Sequence, residues 1–117
     1  MVIIYGIPNC DTMKKAMTWL KTNNIAFEFH DYKKQGISTS KLEAWLAQVS
    51  WDQLINRKGA TWRQLPDELK LGVNSDQKAI EIMLEKTSCI RRPLLELNGT
   101  LAGMGFEEIG WAKIFGL

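Results

Sequence analysis

Histidine, cysteine and proline are scarce in this sequence of 117 residues, which contains one His, two Cys and three Pro. The one histidine, His30, lies in the apolar-rich stretch FEFHDY with no other metal ligands clustered around it, so we expect a structural role for it and no metal site. A Ser-His-Asp pattern, a Walker loop and a G-x-G-x-x-G motif are absent too. The sequence therefore gives no motif for metal, serine-hydrolase or nucleotide chemistry.

Long apolar runs and a strong charge of either sign are also absent. No stretch approaches the roughly 20 apolar residues of a membrane span, and the N-terminus MVIIYGIPNC has no basic region of a signal peptide. Fifteen Lys and Arg against thirteen Asp and Glu leave a net charge of +2, too small by itself to favour nucleic acid or an anionic membrane. We expect a cytoplasmic monomer that binds neither nucleic acid directly nor a membrane.

The two cysteines, Cys10 and Cys89, are not part of a C-x-x-C motif, because Met13 stands three positions after Cys10. Two thiols in a reducing compartment are not expected to form a structural disulfide. A Cys10–Cys89 bond would need Cα atoms within about 7 Å, which sequence alone does not establish. The thiol that resolves an adduct on Cys10 would therefore be external, such as glutathione, or it would be Cys89.

Apolar periodicity in the first third of the chain predicts a strand, a helix and a second strand. Apolar runs indicate strands over residues 2–7 and 26–32, and apolar residues at helical spacing between them predict a helix over residues 11–22. The whole segment has the length of a βαβ unit, in which the two strands run parallel.

The middle of the chain is expected to be helical. After a polar link over residues 33–38, Ser40 begins an S-K-L-E pattern that fits a capping box at the start of a helix. Short helical turns are expected over residues 51–73, and Asn74 or Ser75 opens a further helix.

The last quarter of the chain predicts a β-hairpin and a helix. Residues 94–97 and 100–104 flank Asn98-Gly99, a strong signal for a type I′ turn, and a short helix follows over residues 106–115. The order of elements is that of a thioredoxin-like α/β fold, with a βαβ half, a ββα half and a mixed four-stranded sheet. We expect one domain over residues 1–117 with a helical insertion over about residues 38–86.

Cys10 stands where the first strand turns into the first helix, in YGIPNCDTMKKAMTWL. The first turn of a helix offers free N–H groups and about half a positive charge, and both stabilise a thiolate. The Thr12 hydroxyl is placed to add a hydrogen bond, whereas the Asp11 carboxylate opposes the thiolate unless it points away. Cys10 is therefore an activated nucleophile or a small buried apolar residue. Cys89 lacks such a position and is expected to be incidental or part of the core.

Arginines lie in NRKGATWR, which carries Arg57, and in IRRP, which carries Arg91 and Arg92 before Pro93. The planar guanidinium suits oxyanions and carboxylates, although each arginine taken singly is as readily a solvated surface charge. If the Arg92–Pro93 bond lies opposite the cysteine turn, Arg92 adds positive charge beside the sulfur. Pro93 stands where thioredoxin folds keep a cis proline, whose neighbouring backbone pairs with a peptide or glutathione.

Five segments together resemble the arsenate reductase (ArsC) family of thioredoxin-like proteins: YGIPNCDTMKKAMTWL, FHDY, LINRKGATWRQL, IRRPLL and MGF-EE. The resemblance covers nearly the whole chain, is closest for the YffB subgroup, and extends to the related Spx transcriptional regulators. It implies that Cys10 is the nucleophile and that Arg57 and Arg92 are two of three assisting arginines. By the same resemblance, the N-C-D-T and R-R-P turns supply the substrate-binding residues Asn9, Thr12, Arg91 and Pro93.

The third arginine of the family falls in or after the hairpin, where this sequence reads GTLAGMGF and has none. The resemblance therefore implies a thiol oxidoreductase, a glutathione-dependent monothiol reductase with no bound cofactor, and not an efficient arsenate reductase. The alternative is an Spx-like regulator that binds the RNA polymerase α-subunit; it would lack the C-x-x-C switch, because Met13 replaces the second cysteine. A third interpretation is a non-catalytic binding protein that has kept the fold.

Overall fold

A mixed four-stranded sheet organises the two ends of the chain in the computed structural model, which describes residues 1–117. The sheet has the order β2-β1-β3-β4, with β1 and β2 parallel and the other two pairs antiparallel. The strands are β1 (Val2–Gly6), β2 (Glu28–Asp31), β3 (Leu94–Leu97) and β4 (Thr100–Met104). The predicted mixed sheet with α-helices is confirmed.

Eight helices accompany the sheet, and none of them has the length and hydrophobicity needed to cross a membrane. They are α1 (Asp11–Thr22), α2 (Tyr32–Gln35), α3 (Thr39–Leu46), α4 (Trp51–Leu54), α5 (Ala60–Arg63), α6 (Asp67–Gly72), α7 (Asp76–Glu85) and α8 (Glu108–Ile114). A 3₁₀ turn over Thr87–Cys89 follows α7. The chain divides into two compact units: the first contains Met1–Asp31 and Arg92–Leu117, and the second contains Tyr32–Arg91.

In the first unit, α1 and α8 contribute to a core with β1 and β3. The buried members of this core are Ile4, Met13, Ala16, Trp19, Leu20, Leu95 and Trp111. Four of them lie at helical spacing on α1, Ile4 and Leu95 are partners across β1 and β3, and Trp111 belongs to α8. Each large apolar side chain buried in this way contributes about 1.5–3 kcal/mol, which holds α1 against the sheet.

Gly6, at the end of β1, lets the first turn of α1 approach the strand closely. A Cβ atom at this position would overlap the sulfur and methyl group of Met13. Met13 is completely buried, so a side chain at Gly6 would require its thioether to shift within the core. The absence of a side chain at Gly6 therefore allows the close packing of β1 against the first turn of α1, next to Cys10.

On the sheet, Tyr5 and Glu96 form a buried polar pair, in which the Tyr5 hydroxyl donates a hydrogen bond of 2.8 Å to the Glu96 carboxylate. The His30 ring packs against Tyr5 with ring centroids 4.8 Å apart. Burial and the neighbouring Glu96 raise the pKa of Tyr5 well above its ordinary value.

The chain contains no group of three or more His, Cys, Asp or Glu side chains that could hold a metal ion.

The β3–β4 hairpin turns at Asn98 and Gly99, whose φ angles of 53° and 83° are both positive. This is the backbone conformation of a type I′ turn, so the turn predicted from Asn-Gly is confirmed. Both strands of the hairpin and both ends of α1 also lie where the sequence predicted them.

Two local predictions in the second unit were wrong. Helix α3 is capped by Ser38, whose hydroxyl accepts a hydrogen bond of 3.1 Å from the Lys41 N–H, and Ser40 lies inside the helix. The N-cap is therefore Ser38, two residues before the predicted Ser40, because Ser38 has the extended backbone before the first turn. The predicted polar link contains a helical turn, because the chain enters α2 at Tyr32 directly after β2.

The other predicted elements differ only at their ends. Strand β2 is shorter than the predicted run over residues 26–32, and α8 begins after Glu107, whose carboxylate caps it. Ser75 opens α7 by accepting a hydrogen bond from the Lys78 N–H, as predicted. Residues 51–73 form three short helices, and Ile55 adds one isolated bridge to Ile90.

Candidate active site

Cys10 is the N-cap residue of α1, with extended backbone angles of φ −138° and ψ 125°. Its carbonyl accepts the first helical hydrogen bond, 3.0 Å from the Lys14 nitrogen. Its side chain is partly exposed. The sulfur therefore lies at the helix N-terminus, where backbone N–H groups have no intrahelical acceptor.

The electrostatic surroundings of Cys10 favour the thiolate. Burial alone would raise the pKa of this thiol, but hydrogen bonds from the Met13 backbone N–H, the Arg92 side chain and the Thr12 backbone N–H outweigh it. The positive charge of Arg92 acts in the same direction, and the pKa of Cys10 is lowered from its ordinary value. Hydrogen bonds to the charged form of an acid lower its pKa by this mechanism.

The residues next to Cys10 are exposed. Thr12 acts on the sulfur through its backbone N–H, and its side chain is open to solvent. The side chains of Asn9 and Asp11 are also solvent-exposed. One face of the turn is therefore open to an approaching substrate.

The Arg92–Pro93 peptide bond is cis. Pro93 is buried, and its carbonyl accepts a hydrogen bond of 2.8 Å from the Gly105 nitrogen, just beyond β4. This bond ties the entry of β3 to the end of its hairpin partner. The first unit brings Arg92, which lies just before β3, to the sulfur of Cys10, a residue distant in sequence.

Arg57 and Arg91 belong to the second unit. With Lys58, Asn56 and Asp52 they line a cavity of about 330 Å³. Three cationic side chains against one carboxylate make this cavity basic. A guanidinium-lined cavity of this kind suits a carboxylate or another oxyanion.

Arg57 is held by side chains, whereas Arg91 is held by backbone carbonyls. The Arg57 guanidinium lies 5.7 Å from the ring centroid of Trp51 and 3.7 Å from the Asp52 carboxylate. Because about half of each side chain in this ion pair is exposed, the pair is weak and Arg57 remains accessible to another anion. A hydrogen bond from Ser50, together with the charge of Arg57, lowers the pKa of Asp52.

Arg91 is fixed by backbone carbonyls. Its Nε donates a hydrogen bond of 2.8 Å to the Gln53 carbonyl, and its backbone N–H donates one of 2.8 Å to the Leu54 carbonyl. These bonds hold the guanidinium at the end of α4, where helix carbonyls attract a cation.

Cys89 is a buried thiol of the second unit. It is 1% exposed, and burial raises its pKa to about 11. Both cysteines are free thiols. At neutral pH the Cys89 thiolate is therefore almost absent, as is expected of a core residue, and Cys10 is the better nucleophile.

The free N–H groups expected at the first turn of the helix include that of Met13, which donates to the sulfur. Sequence reasoning did not identify two other groups, the Trp51 ring beside Arg57 and the Gln53 carbonyl that holds Arg91. Both depend on how α4 packs, which periodicity does not specify.

Taken together, the first unit supplies a partly exposed thiol with a lowered pKa and a guanidinium beside it. A thiolate of this kind attacks electrophilic sulfur or an oxidised acceptor. The second unit supplies a basic cavity for an anionic group.

Comparison with known proteins places the chain in a family. A family model described as the ArsC family matches residues 5–114. An uncharacterized protein of Haemophilus influenzae is 37% identical over 115 residues, which are 98% of this chain and 99% of the relative. The global transcriptional regulator Spx of Lactiplantibacillus plantarum is 26% identical, over 92% of this chain and 81% of the regulator.

Similarity to solved structures agrees with the family match. The structure of a YffB protein superposes with a TM-score of 0.90 at 43% identity, covering 97% of this chain and 98% of that one. An arsenate reductase (ArsC) related protein from Brucella melitensis has a TM-score of 0.78 at 45% identity, with 99% and 95% of the two chains covered. The predicted thioredoxin-like α/β fold is thereby confirmed, and this chain belongs to the ArsC family.

Proposed function

We propose that this protein is a glutathione-dependent monothiol reductase of the cytoplasm that uses Cys10 as its nucleophile. The observation that carries the proposal is the setting of the Cys10 sulfur, which interacts with the Met13 N–H and the Arg92 guanidinium and has a lowered pKa. Met13 occupies the position at which a dithiol enzyme has its second cysteine. A mechanism with one protein thiol fits this arrangement.

The reaction begins with a mixed disulfide between a substrate thiol and glutathione. The Cys10 thiolate attacks the glutathione sulfur, a new Cys10–glutathione disulfide forms, and the substrate leaves as a thiolate that takes a proton from water. A second glutathione, as its thiolate, attacks the glutathione sulfur of this adduct. Glutathione disulfide departs and the Cys10 thiolate is regenerated, so the substrate disulfide is reduced and glutathione is oxidised.

Arg92 and the backbone N–H groups of α1 stabilise the thiolate before the attack and when it leaves the adduct. Asn9 and Thr12 flank Cys10 in sequence, and Pro93 follows Arg92. We assign these three residues to the binding of the substrate peptide. We assign Arg57 and Arg91 the binding of a glutathione carboxylate, a role supported by the basic cavity that they line and by the family resemblance of Arg57.

Arsenate is a poorer fit as substrate. The segment GTLAGMGF, in which the resemblance expects a third arginine, contains none. A multiply charged oxyanion would lose one bidentate partner there, whereas a glutathione carboxylate carries a single charge. This difference supports a thiol substrate.

The direct test is turnover of a glutathionylated peptide in the presence of glutathione, measured as formation of glutathione disulfide. Cys10→Ser is expected to abolish turnover, and Cys89→Ala to keep most of it, because Cys89 is buried with a raised pKa. Intact mass should show one glutathione on Cys89→Ala and none on Cys10→Ser. Equal loss of turnover in both variants would contradict the monothiol scheme and favour an internal disulfide.

A second candidate is a regulator that binds RNA polymerase. Similarity to global transcriptional regulators Spx over 92% of this chain favours it. Its test is a binding assay with the purified C-terminal domain of the polymerase α-subunit. Binding that Cys10→Ser leaves intact, without turnover of glutathionylated substrates, would make regulation the primary function.

A further inference from the structure

A groove between α3 and α7 in the second unit has a volume of about 670 Å³. The residues that line it recur at helical spacing on each helix, so the groove follows the exposed stripes of both. Helices of eight and ten residues are about 12–15 Å long. The groove therefore has the length of two to three turns of a partner helix.

The floor of this groove is apolar. Leu46 and Ile80 are partly exposed, and Leu84 is 41% exposed although its neighbours on α7 reach the core. Apolar side chains in a concave surface of this size are typical of sites that receive a partner's side chains.

The rim of the groove is acidic. Glu43, Asp76 and Glu81 contribute three carboxylates, and no Lys or Arg lines the groove. One of these carboxylates is paired: Lys78 lies 3.7 Å from Glu81 in an exposed ion pair, of the kind that contributes at most about 1 kcal/mol. Because the whole chain has a net charge of +2, this rim differs in sign from the protein as a whole.

We propose that the groove between α3 and α7 is a docking site for a basic amphipathic helix of a partner protein. Apolar side chains on one face of that helix fill the floor formed by Leu46, Ile80 and Leu84, and flanking Lys or Arg side chains pair with Glu43, Asp76 and Glu81. Helix-in-groove recognition places the apolar face of an amphipathic helix in an apolar groove, and complementary charges at the rim favour the correct partner. The lining of this groove shares no residue with the basic cavity and does not include Cys10.

The probe is a fluorescein-labelled synthetic peptide of about 14 residues, long enough for a helix of several turns, with leucines on one face and lysines beside them. Its binding to the full chain is measured by fluorescence anisotropy, and its position by chemical-shift changes in the ¹⁵N-labelled protein. Leu84→Ser and Glu43→Lys are each expected to weaken binding about tenfold or more. Binding should also weaken as salt is raised, because the rim is exposed.

Matched control variants keep the test specific. Leu71→Ser removes a leucine of α6 that is 84% exposed and outside the groove, and Glu85→Lys reverses an exposed carboxylate of α7 that does not line it. Both are expected to bind the peptide like the unmodified protein.

The proposal is overturned if the peptide does not bind, if the chemical-shift changes fall outside α3 and α7, or if Glu85→Lys weakens binding as much as Glu43→Lys. An analogue with Glu in place of Lys that binds equally well would overturn it too.

Discussion

The side chain of Arg92 interacts with the sulfur of Cys10, so the residue before the cis proline supports the thiolate at the start of α1. The two residues belong to different halves of the fold, and the sheet order β2-β1-β3-β4 makes them neighbours because β3 pairs with β1. The helix terminus supplies dipoles and N–H groups, and the arginine supplies a full charge. Their combination outweighs the burial of the thiol.

Replacing Arg92 with Ala is expected to raise the pKa of Cys10, because both a hydrogen bond and a positive charge are removed. Turnover of a glutathionylated peptide should fall about 10- to 100-fold, the effect of losing one charge-assisted hydrogen bond. The pKa is measured from the thiolate absorbance as the pH is raised. Lys113→Ala, which removes an exposed charge of α8, is the control and should change neither quantity. An unchanged pKa in Arg92→Ala would remove this arginine from the site.

Cys89 is expected to make the fold sensitive to alkali. Its pKa is about 11 in the folded protein against an ordinary value of 9.0, so the unfolded chain loses this proton first. The stability that the protonated thiol contributes is complete below pH 9 and is lost as the pH rises towards 11. Relative to Cys89→Ala, the free energy of unfolding should fall by about 2 kcal/mol between pH 8 and pH 11. Parallel pH profiles of the two proteins in urea titrations would contradict this account.

Gly6→Ala tests whether close packing positions the β1–α1 turn. The new methyl group would overlap the buried Met13 side chain, and overpacking of this kind costs about 1–3 kcal/mol. Thermal unfolding measures the loss, and Met13→Val in the same chain should restore part of it. Gly72→Ala is the control, since nothing lies within 4 Å of a Cβ atom there, and it should be neutral or slightly stabilising. Equal stability of Gly6→Ala and the unmodified protein would show that the turn tolerates displacement.

Met104→Arg tests the proposal that the absent arginine makes arsenate a poor substrate. Met104 ends β4 and is partly exposed, so an arginine side chain can reach solvent from it. At Gly103 a Cβ atom would be in ordinary contact with Trp111, Ile114 and Leu95 at 3.5–3.6 Å, so a longer side chain there would have to grow past these packed residues. Met104→Arg is expected to raise arsenite formation in the presence of glutathione at least about tenfold. No gain, in a variant that still reduces glutathionylated peptide, would mean that the absent arginine does not limit arsenate chemistry.

Local signals in the sequence predicted an element correctly where the residue pattern is compatible with only one structure. The apolar spacing within residues 11–22 and the Asn98-Gly99 turn gave both ends of α1 and both strands of the hairpin. Where two patterns competed, the prediction failed: Ser38 and Ser40 are both good caps, and only the backbone conformation before the helix selects Ser38. Tyr32 favours strands by type but begins α2.

The candidate site was predictable to a similar extent. The position of Cys10 at a helix N-terminus follows from adjacent sequence, because a strand, a proline and an amphipathic helix come in that order. The approach of Arg92 to the sulfur depends on the pairing of β1 with β3, which no local pattern contains. Likewise, the ring of Trp51 beside Arg57 and the carbonyl of Gln53 beneath Arg91 result from tertiary packing.

The most direct test of the central claim is the rate of Cys10 alkylation by iodoacetamide as a function of pH, measured by intact mass in the Cys89→Ala protein. Alkylation proceeds through the thiolate, so its midpoint reports the pKa of Cys10. A midpoint well below about 8.5 is the predicted result, because the Met13 N–H and Arg92 lower this pKa. A midpoint at or above that reference would contradict the account and make Cys10 an ordinary structural cysteine.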